Sequence, residues 1–230
     1  YLGQKPPGSM PEIFAPGVIS LETRSEAGPR FSEDGKQMFF RDGKEKITYL
    51  VEQNNGQLTQ PRRATFLSDK GIGLPTISSD GTSYLISKKG DIWMGRRDGN
   101  TYFPPEKVPV ISSEKYECGF SMALNGNMYF ASQRSGTKGN CDIYCSEFVD
   151  GKYQEPKNLS ILNTPQSECN VYICPTEEYI IFTSQLRKDG LGRNDMYISF
   201  LSENKQWSSP RNMGPDFNSK EVESPTCLSP

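Results

Sequence analysis

Apolar positions recur in short alternating runs that Asp-Gly and Asn-Gly dipeptides cut apart. The runs 37–41, 47–51, 83–87, 91–95, 128–132, 142–147, 179–184 and 195–200 are rich in aromatic and β-branched residues. Period-two runs bounded by turn residues predict short, half-buried strands. No segment sustains an apolar period near 3.6 residues, so almost no helix is expected. Five stretches align without a gap as far as the turn: 26–40, 72–86, 117–130, 168–182 and 223–230. Each reads as a strand, a tight turn and, where the stretch continues, a second strand.

The turn residues Asp34, Asp80, Asn125 and Thr176 are spaced by 46, 45 and 51 residues. A supersecondary unit of that period, with four strands, has the size of a propeller blade. The expected organisation is an extended segment over 1–20, able to add an edge strand, and a single domain over 21–230. Its blades cover 21–66, 67–110, 111–160 and 161–217, with a partial one over 218–230. The fourth strand of each is expected near Leu58, Tyr102, Tyr153 and Trp207, just ahead of a proline. The fold class is all-β, a propeller of four-stranded blades. Five blades are expected, the last incomplete, with four or six as alternatives.

Composition narrows the function classes. The 230 residues carry a net charge of −2 and show no basic run, so the electrostatic footprint of a nucleic-acid binder is missing. No apolar run approaches the roughly 18–20 residues that cross a bilayer as a helix. The chain opens at Tyr1 without a visible signal peptide, and a trimmed N-terminus is expected. The absence of histidine removes Ser-His-Asp and Cys-His catalysis and every histidine metal site. The cysteines are Cys118, Cys141, Cys145, Cys169, Cys174 and Cys227. Cys141 and Cys145 lie about 13 Å apart along a strand, too far for a disulfide. Cys118 and Cys169 occupy equivalent repeat positions. The set reads as mostly free, buried thiols, with a disulfide left open by the even count.

The repeat has a recognisable motif: an apolar residue, Ser-x-Asp-Gly, an aromatic-rich strand, then Asp-Ile-Tyr. It appears as Phe31-Ser32-Glu33-Asp34-Gly35 and Ile77-Ser78-Ser79-Asp80-Gly81, with Asp91-Ile92-Trp93, Asp142-Ile143-Tyr144 and Asp195-Met196-Tyr197. These residues resemble the TolB-type, WD-like β-propeller repeat family over nearly the whole chain. The opening Tyr1-Leu2-Gly3-Gln4 resembles a bacterial subgroup that carries this repeat. Repeat three departs with Ala123 and Asn125, and repeat four with Cys174, Thr176 and Glu177. The resemblance implies a propeller in an extracytoplasmic compartment, periplasmic or secreted. It does not fix the function.

One column of the repeat alignment stands out chemically. Glu26, Glu117, Glu168 and Glu223 open the first strand of their repeats, with Ile72 in the second. First strands line the axis of a propeller, so an acidic ring at a channel mouth is expected. Converging carboxylates repel, by roughly 4 kcal/mol per pair at 4 Å and an effective dielectric near 20. Spacing, basic partners or a bound cation must relieve them. Oxygen ligands would select Ca²⁺ or Mg²⁺. The structural alternative is that each carboxylate accepts backbone N–H bonds from a loop. A glycosidase would use Glu117 and Glu168 as its two carboxylates. Arg134, Arg193 and Tyr172 complete the expected binding residues. Asp91, Asp142 and Asp195 are expected to fix loops or line a polar rim. The leading expectation is a non-enzymatic binding or scaffold module for a protein or glycan, with nucleic acid excluded. The loops 133–141 and 185–194 are the places to look for its partner.

Overall fold

A computed structural model describes residues 12–32, 34–67, 72–78 and 80–223. The calls on residues 1–11, and on a fifth repeat beyond Glu223, lie outside these. The first sheet comprises β1 (Glu26–Phe31), β2 (Gln37–Asp42), β3 (Ile47–Asn54), β4 (Gln57–Leu58) and β5 (Arg62–Arg63). The second comprises β6 (Thr76–Ile77), β7 (Ser83–Lys88), β8 (Asp91–Asp98), β9 (Thr101–Tyr102) and β10 (Glu106–Lys107). The third holds β11 (Glu117–Met122), β12 (Met128–Ser132) and β13 (Asp142–Ser146). A hairpin of β14 (Phe148–Val149) and β15 (Lys152–Tyr153) follows, then β16 (Lys157–Asn158). The fourth sheet is β17 (Glu168–Ile173), β18 (Tyr179–Gln185), β19 (Asn194–Phe200) and β20 (Arg211–Asn212). All four sheets are antiparallel meanders, the blades of a β-propeller. Four blades therefore lie among the described residues, the four complete ones expected, and most of the partial fifth over 218–230 lies outside them. One 3₁₀ turn, Thr65–Leu67, is the only helical element among them.

The fourth strand differs from expectation. Leu58, Tyr102 and Tyr153 lie in two-residue ladders ahead of the proline, and Trp207 makes only a bridge to Leu201. A further strand that pairs the third strand comes after the proline in each blade, as β5, β10, β16 and β20. Pro61, Pro105, Pro156 and Pro210 have no N–H to give the ladder, so pairing stops there and restarts beyond.

The turns explain the motif. Ser32 Oγ donates to Asp34 at 2.6 Å, and Asp34 also accepts the Lys36 N–H. Ser78 and Asp80 repeat this with the Thr82 N–H. Gly35, Gly81 and Gly126 take the left-handed conformation that closes the turn. Glu177 holds the same conformation, at φ 62°. Its carboxylate accepts from Tyr129 Oη, Asn127 Nδ2 and Asn125 Nδ2, at 2.7–2.9 Å. Three bonds to the preceding blade thus offset a backbone strain that a non-glycine residue meets there.

The chain divides into two compact units. The first contains the described residues up to Lys88 and Met94–Pro105, and the second Lys89–Trp93 and everything described from Glu106 onward. In the first, Ala15, Ile19, Met38, Phe40 and Val51 form a core, with Phe14 and Val18 of the N-terminal segment packed on it. Phe66 stacks on Tyr102 at 3.7 Å, with Tyr84 edge-on to both. In the second, Ala131, Ile143, Leu162, Val171, Ile180, Phe182 and Tyr197 are the centre of the core.

Candidate functional site

The first strand of blades one, three and four carries a bulge two residues after its glutamate. Gly28, Gly119 and Asn170 all have positive φ there, and the pairing register shifts at each. This bends the strand and lets β11 and β17 come together closely. A Cβ on Gly119 would lie 2.7 Å from the Asn170 nitrogen. The glutamate ahead of the bulge is anchored by its own main chain. Glu117 N–H donates to Gly90 O, Glu168 N–H to Cys141 O and Glu223 N–H to Asn194 O, at 2.7–3.0 Å.

Glu117 and Glu168 are both 0% exposed. One oxygen of Glu117 accepts the Ser113 N–H at 2.9 Å. The other accepts Ser113 Oγ at 2.5 Å and Ser132 Oγ at 2.9 Å, with Arg134 at 3.6 Å. Glu168 repeats the set with Thr164 N at 3.0 Å, Thr164 Oγ1 and Ser184 Oγ at 2.6 Å, and Arg187 at 3.3 Å. Each arginine also donates to a main-chain carbonyl, Arg134 to Ile111 and Arg187 to Leu162. Each guanidinium lies over two rings of its own blade. Arg134 is 5.1 Å from Phe130 and 4.9 Å from Tyr144, and Arg187 is 5.4 Å from Phe182 and 4.6 Å from Tyr197. The tyrosine that follows the motif Asp by two is thus one of two adjacent rings under the guanidinium.

Blade one builds the same box from the other direction. Arg24, two residues upstream, contacts Glu26 at 2.7 Å and lies over Phe40 and Tyr49. Burial pushes the Glu26 carboxyl up. Bonds from Arg24 and from the Glu26 and Leu21 main chains, with the Arg24 charge, outweigh it and hold the carboxyl below its usual value. Blade two has Ile72, which is buried and accepts Arg41 Nη1 through its carbonyl. Glu223 accepts Ser219 Oγ at 2.5 Å, and its second oxygen has no partner among the described residues.

The remaining expected residues are dispersed. Arg193 is exposed, and its backbone pairs with Glu221. Tyr172 is half-buried, 6.5 Å from the Tyr179 ring. Asp142 accepts the Lys138 and Gly139 N–H groups and Asn158 Nδ2, and Asp195 accepts Leu191, Gly192 and Asn212 in the same way. Both are buried loop anchors. Asp91 pairs with Lys107 at 2.8 Å.

Sequence reasoning passed over several members of this constellation. The Ser/Thr four residues before the glutamate, Ser113, Thr164 and Ser219, is a readable signal. Arg187, and not the expected Arg193, is the loop arginine that meets the glutamate. The Sγ atoms of Cys118, Cys141 and Cys169 all lie within 4.8 Å of one another. Cys118 and Cys169 were visible as a repeated pair, but nothing local announces Cys141 as the third.

The meander sheets and their turn chemistry define the class, an all-β propeller. Among solved structures, TolB from Acinetobacter baumannii matches over 90% of this chain and 48% of its own, with TM-score 0.58 and 17% identity. A luciferin-regenerating enzyme matches over 82% of this chain and 60% of its own, with TM-score 0.51 and 12% identity. The fold is thus TolB-like, and the chain spans about half to three-fifths of these relatives. No protein-family model and no curated protein matches the sequence. No helix among the described residues is long and apolar enough to cross a membrane.

Proposed function

We propose that this chain is a non-enzymatic binding or scaffold propeller, acting outside the cytoplasm on a protein or glycan. The observation that carries this reading is the state of Glu117 and Glu168. Both are sealed from solvent, and both hold the same set of partners. A glycosidase needs two carboxylates that reach substrate and whose environments push their pKa values apart. Arginine already balances the charge of each, so Ca²⁺ or Mg²⁺ is not required there. In this reading Glu26, Glu117 and Glu168 are struts, and Arg134 and Arg187 are their counter-ions.

Recognition is assigned instead to the loops between the second and third strands of blades three and four. Leu186 and Leu191 stand 68% and 47% exposed there, beside the exposed Lys188 and Arg193. Apolar side chains flanked by basic ones suit an acidic or hydroxyl-rich ligand. A glycan and protein-ligand panel, read for binding and for hydrolysis together, tests the reading. The expected result is a bound ligand, no turnover, binding weakened at least tenfold by Leu186→Asp with Arg193→Glu, and binding unchanged by Glu168→Gln. Turnover abolished by Glu168→Gln would replace this reading with a carbohydrate-active enzyme.

A further inference from the structure

The thiols of Cys118, Cys141 and Cys169 come from three separate strand beginnings. Cys118 and Cys169 are the second residues of β11 and β17, each directly after its buried glutamate. Cys141 immediately precedes β13 and forms a parallel bridge with Ser167. Cys141 is 2% exposed, the other two are half-buried, and all are free thiols.

Small-residue packing explains part of this arrangement and not the rest. Blades one and two have Ala27 and Gly73 where Cys118 and Cys169 stand, so the column calls for a small residue. Cys141 corresponds to Gly90 and Asn194, which make the same main-chain bond to the next first strand. Neither the bond nor the packing needs sulfur at position 141. A thiol there is aimed at the two that the column already supplies.

We infer that Cys118, Cys141 and Cys169 form a three-thiolate site for a soft d¹⁰ cation, Zn²⁺ or Cu⁺. Tetrahedral Zn–S bonds of about 2.3 Å place ligand sulfurs about 3.8 Å apart. The observed spacing, within 4.8 Å, needs a contraction of no more than about one ångström. The donor set excludes hard ions, since three sulfurs without an added carboxylate select Cu⁺ or Zn²⁺ over Ca²⁺ or Mg²⁺. Cu⁺ is satisfied by three sulfurs in a plane. Zn²⁺ would take a fourth ligand from outside the trio. Ser167 Oγ lies 3.6 Å from Cys169 Sγ, at the edge of the trio. Tyr116, packed over Gly90, is half-exposed.

The test uses the reduced, metal-free protein under anaerobic conditions, titrated separately with Zn²⁺ and with Cu⁺ against competing chelators. One equivalent of one of these ions is expected to bind and to raise the melting temperature by several degrees. Cys141→Ser and Cys169→Ser are expected to weaken binding at least a hundredfold. Cys145→Ser, a buried thiol outside the trio, leaves it unchanged. Zn²⁺ binding that outcompetes Cu⁺ assigns zinc, and the reverse assigns copper. Should the serine variants fail to fold, X-ray absorption of the wild-type complex decides the matter, with three sulfur neighbours expected. Failure of both ions to bind stoichiometrically overturns the site. So does binding that Cys141→Ser leaves intact, or a metal shell with fewer than three sulfurs.

Discussion

Blade one and blade four carry the same glutamate on the same bulged strand and secure it to different depths. Glu26 keeps a side-chain exposure of 20%, and its arginine arrives from the connecting segment just upstream. Glu168 is wholly buried, capped by Thr164, crossed by Ser184 and paired with an arginine from the end of β18. Blade three matches blade four group for group. The second blade has neither the acid nor, in either place, the arginine. In blades one, three and four the acid and the arginine occur together, which marks these three as ion-pair struts. A strut in water contributes little, whereas a buried one is costly to break because the surviving charge has no solvent to fall back on.

The sharpest way to break this comparison is to remove the acid at both depths. Glu168→Ala should destabilise by about 3–5 kcal/mol, because Arg187 is left buried and unpaired. Glu26→Ala should cost about 1 kcal/mol or less. Equal losses in denaturant titrations would sink the distinction. The bulge offers a second contrast. Gly119→Ala meets both a positive φ and the Asn170 backbone, and about 3 kcal/mol is expected. Gly56→Ala, also at positive φ but with open space around it, should cost about 1 kcal/mol.

Glu177 gives a third test, because here sequence logic and tertiary contacts pull apart. Glycine would relieve the backbone at φ 62°, yet it would strand the Tyr129 hydroxyl and two asparagine amides. Glu177→Gly should therefore destabilise, by about 2 kcal/mol, and a stabilised variant would show that the backbone term dominates. The smallest effect expected is on the acid limb of stability. For Asp34, burial raises the carboxyl, but bonds from Ser32 and Lys36 outweigh it and leave it lowered. Asp80 is lowered chiefly by Ser78, then Thr82. A lowered folded value means stabilisation that is present above the ordinary aspartate value and lost as pH falls through the folded one. Melting temperature between pH 5 and 2 should fall less steeply in Asp34→Asn with Asp80→Asn than in the parent.

What the sequence made legible was local. Ser-x-Asp-Gly specifies its turn within five residues, so the blade period could be read from Asp34, Asp80 and Asn125 alone. The glutamate column followed from the same alignment. Its role did not, because Arg24 lies upstream of its partner while Arg134 and Arg187 lie downstream by different distances. The fourth strands were read only in part, for a related reason. Tyr102, Tyr153 and Trp207 look strand-like, but the ladder that closes each blade depends on where the proline lets pairing resume. The trio of thiols is the least local feature of all. Cys141 shares blade three with Cys118 and meets Cys169 through a bridge to the next blade.

That bridge has a wider consequence. The join from one blade to the next is main chain to main chain, from Gly90 to Glu117, Cys141 to Glu168 and Asn194 to Glu223. It is indifferent to whether glycine, cysteine or asparagine supplies the accepting carbonyl. Residues 117–167 thus carry both halves of this seam, so one repeat follows another through the backbone alone. Chemistry can then be added afterwards, at a single seam, by changing one side chain that the architecture does not use.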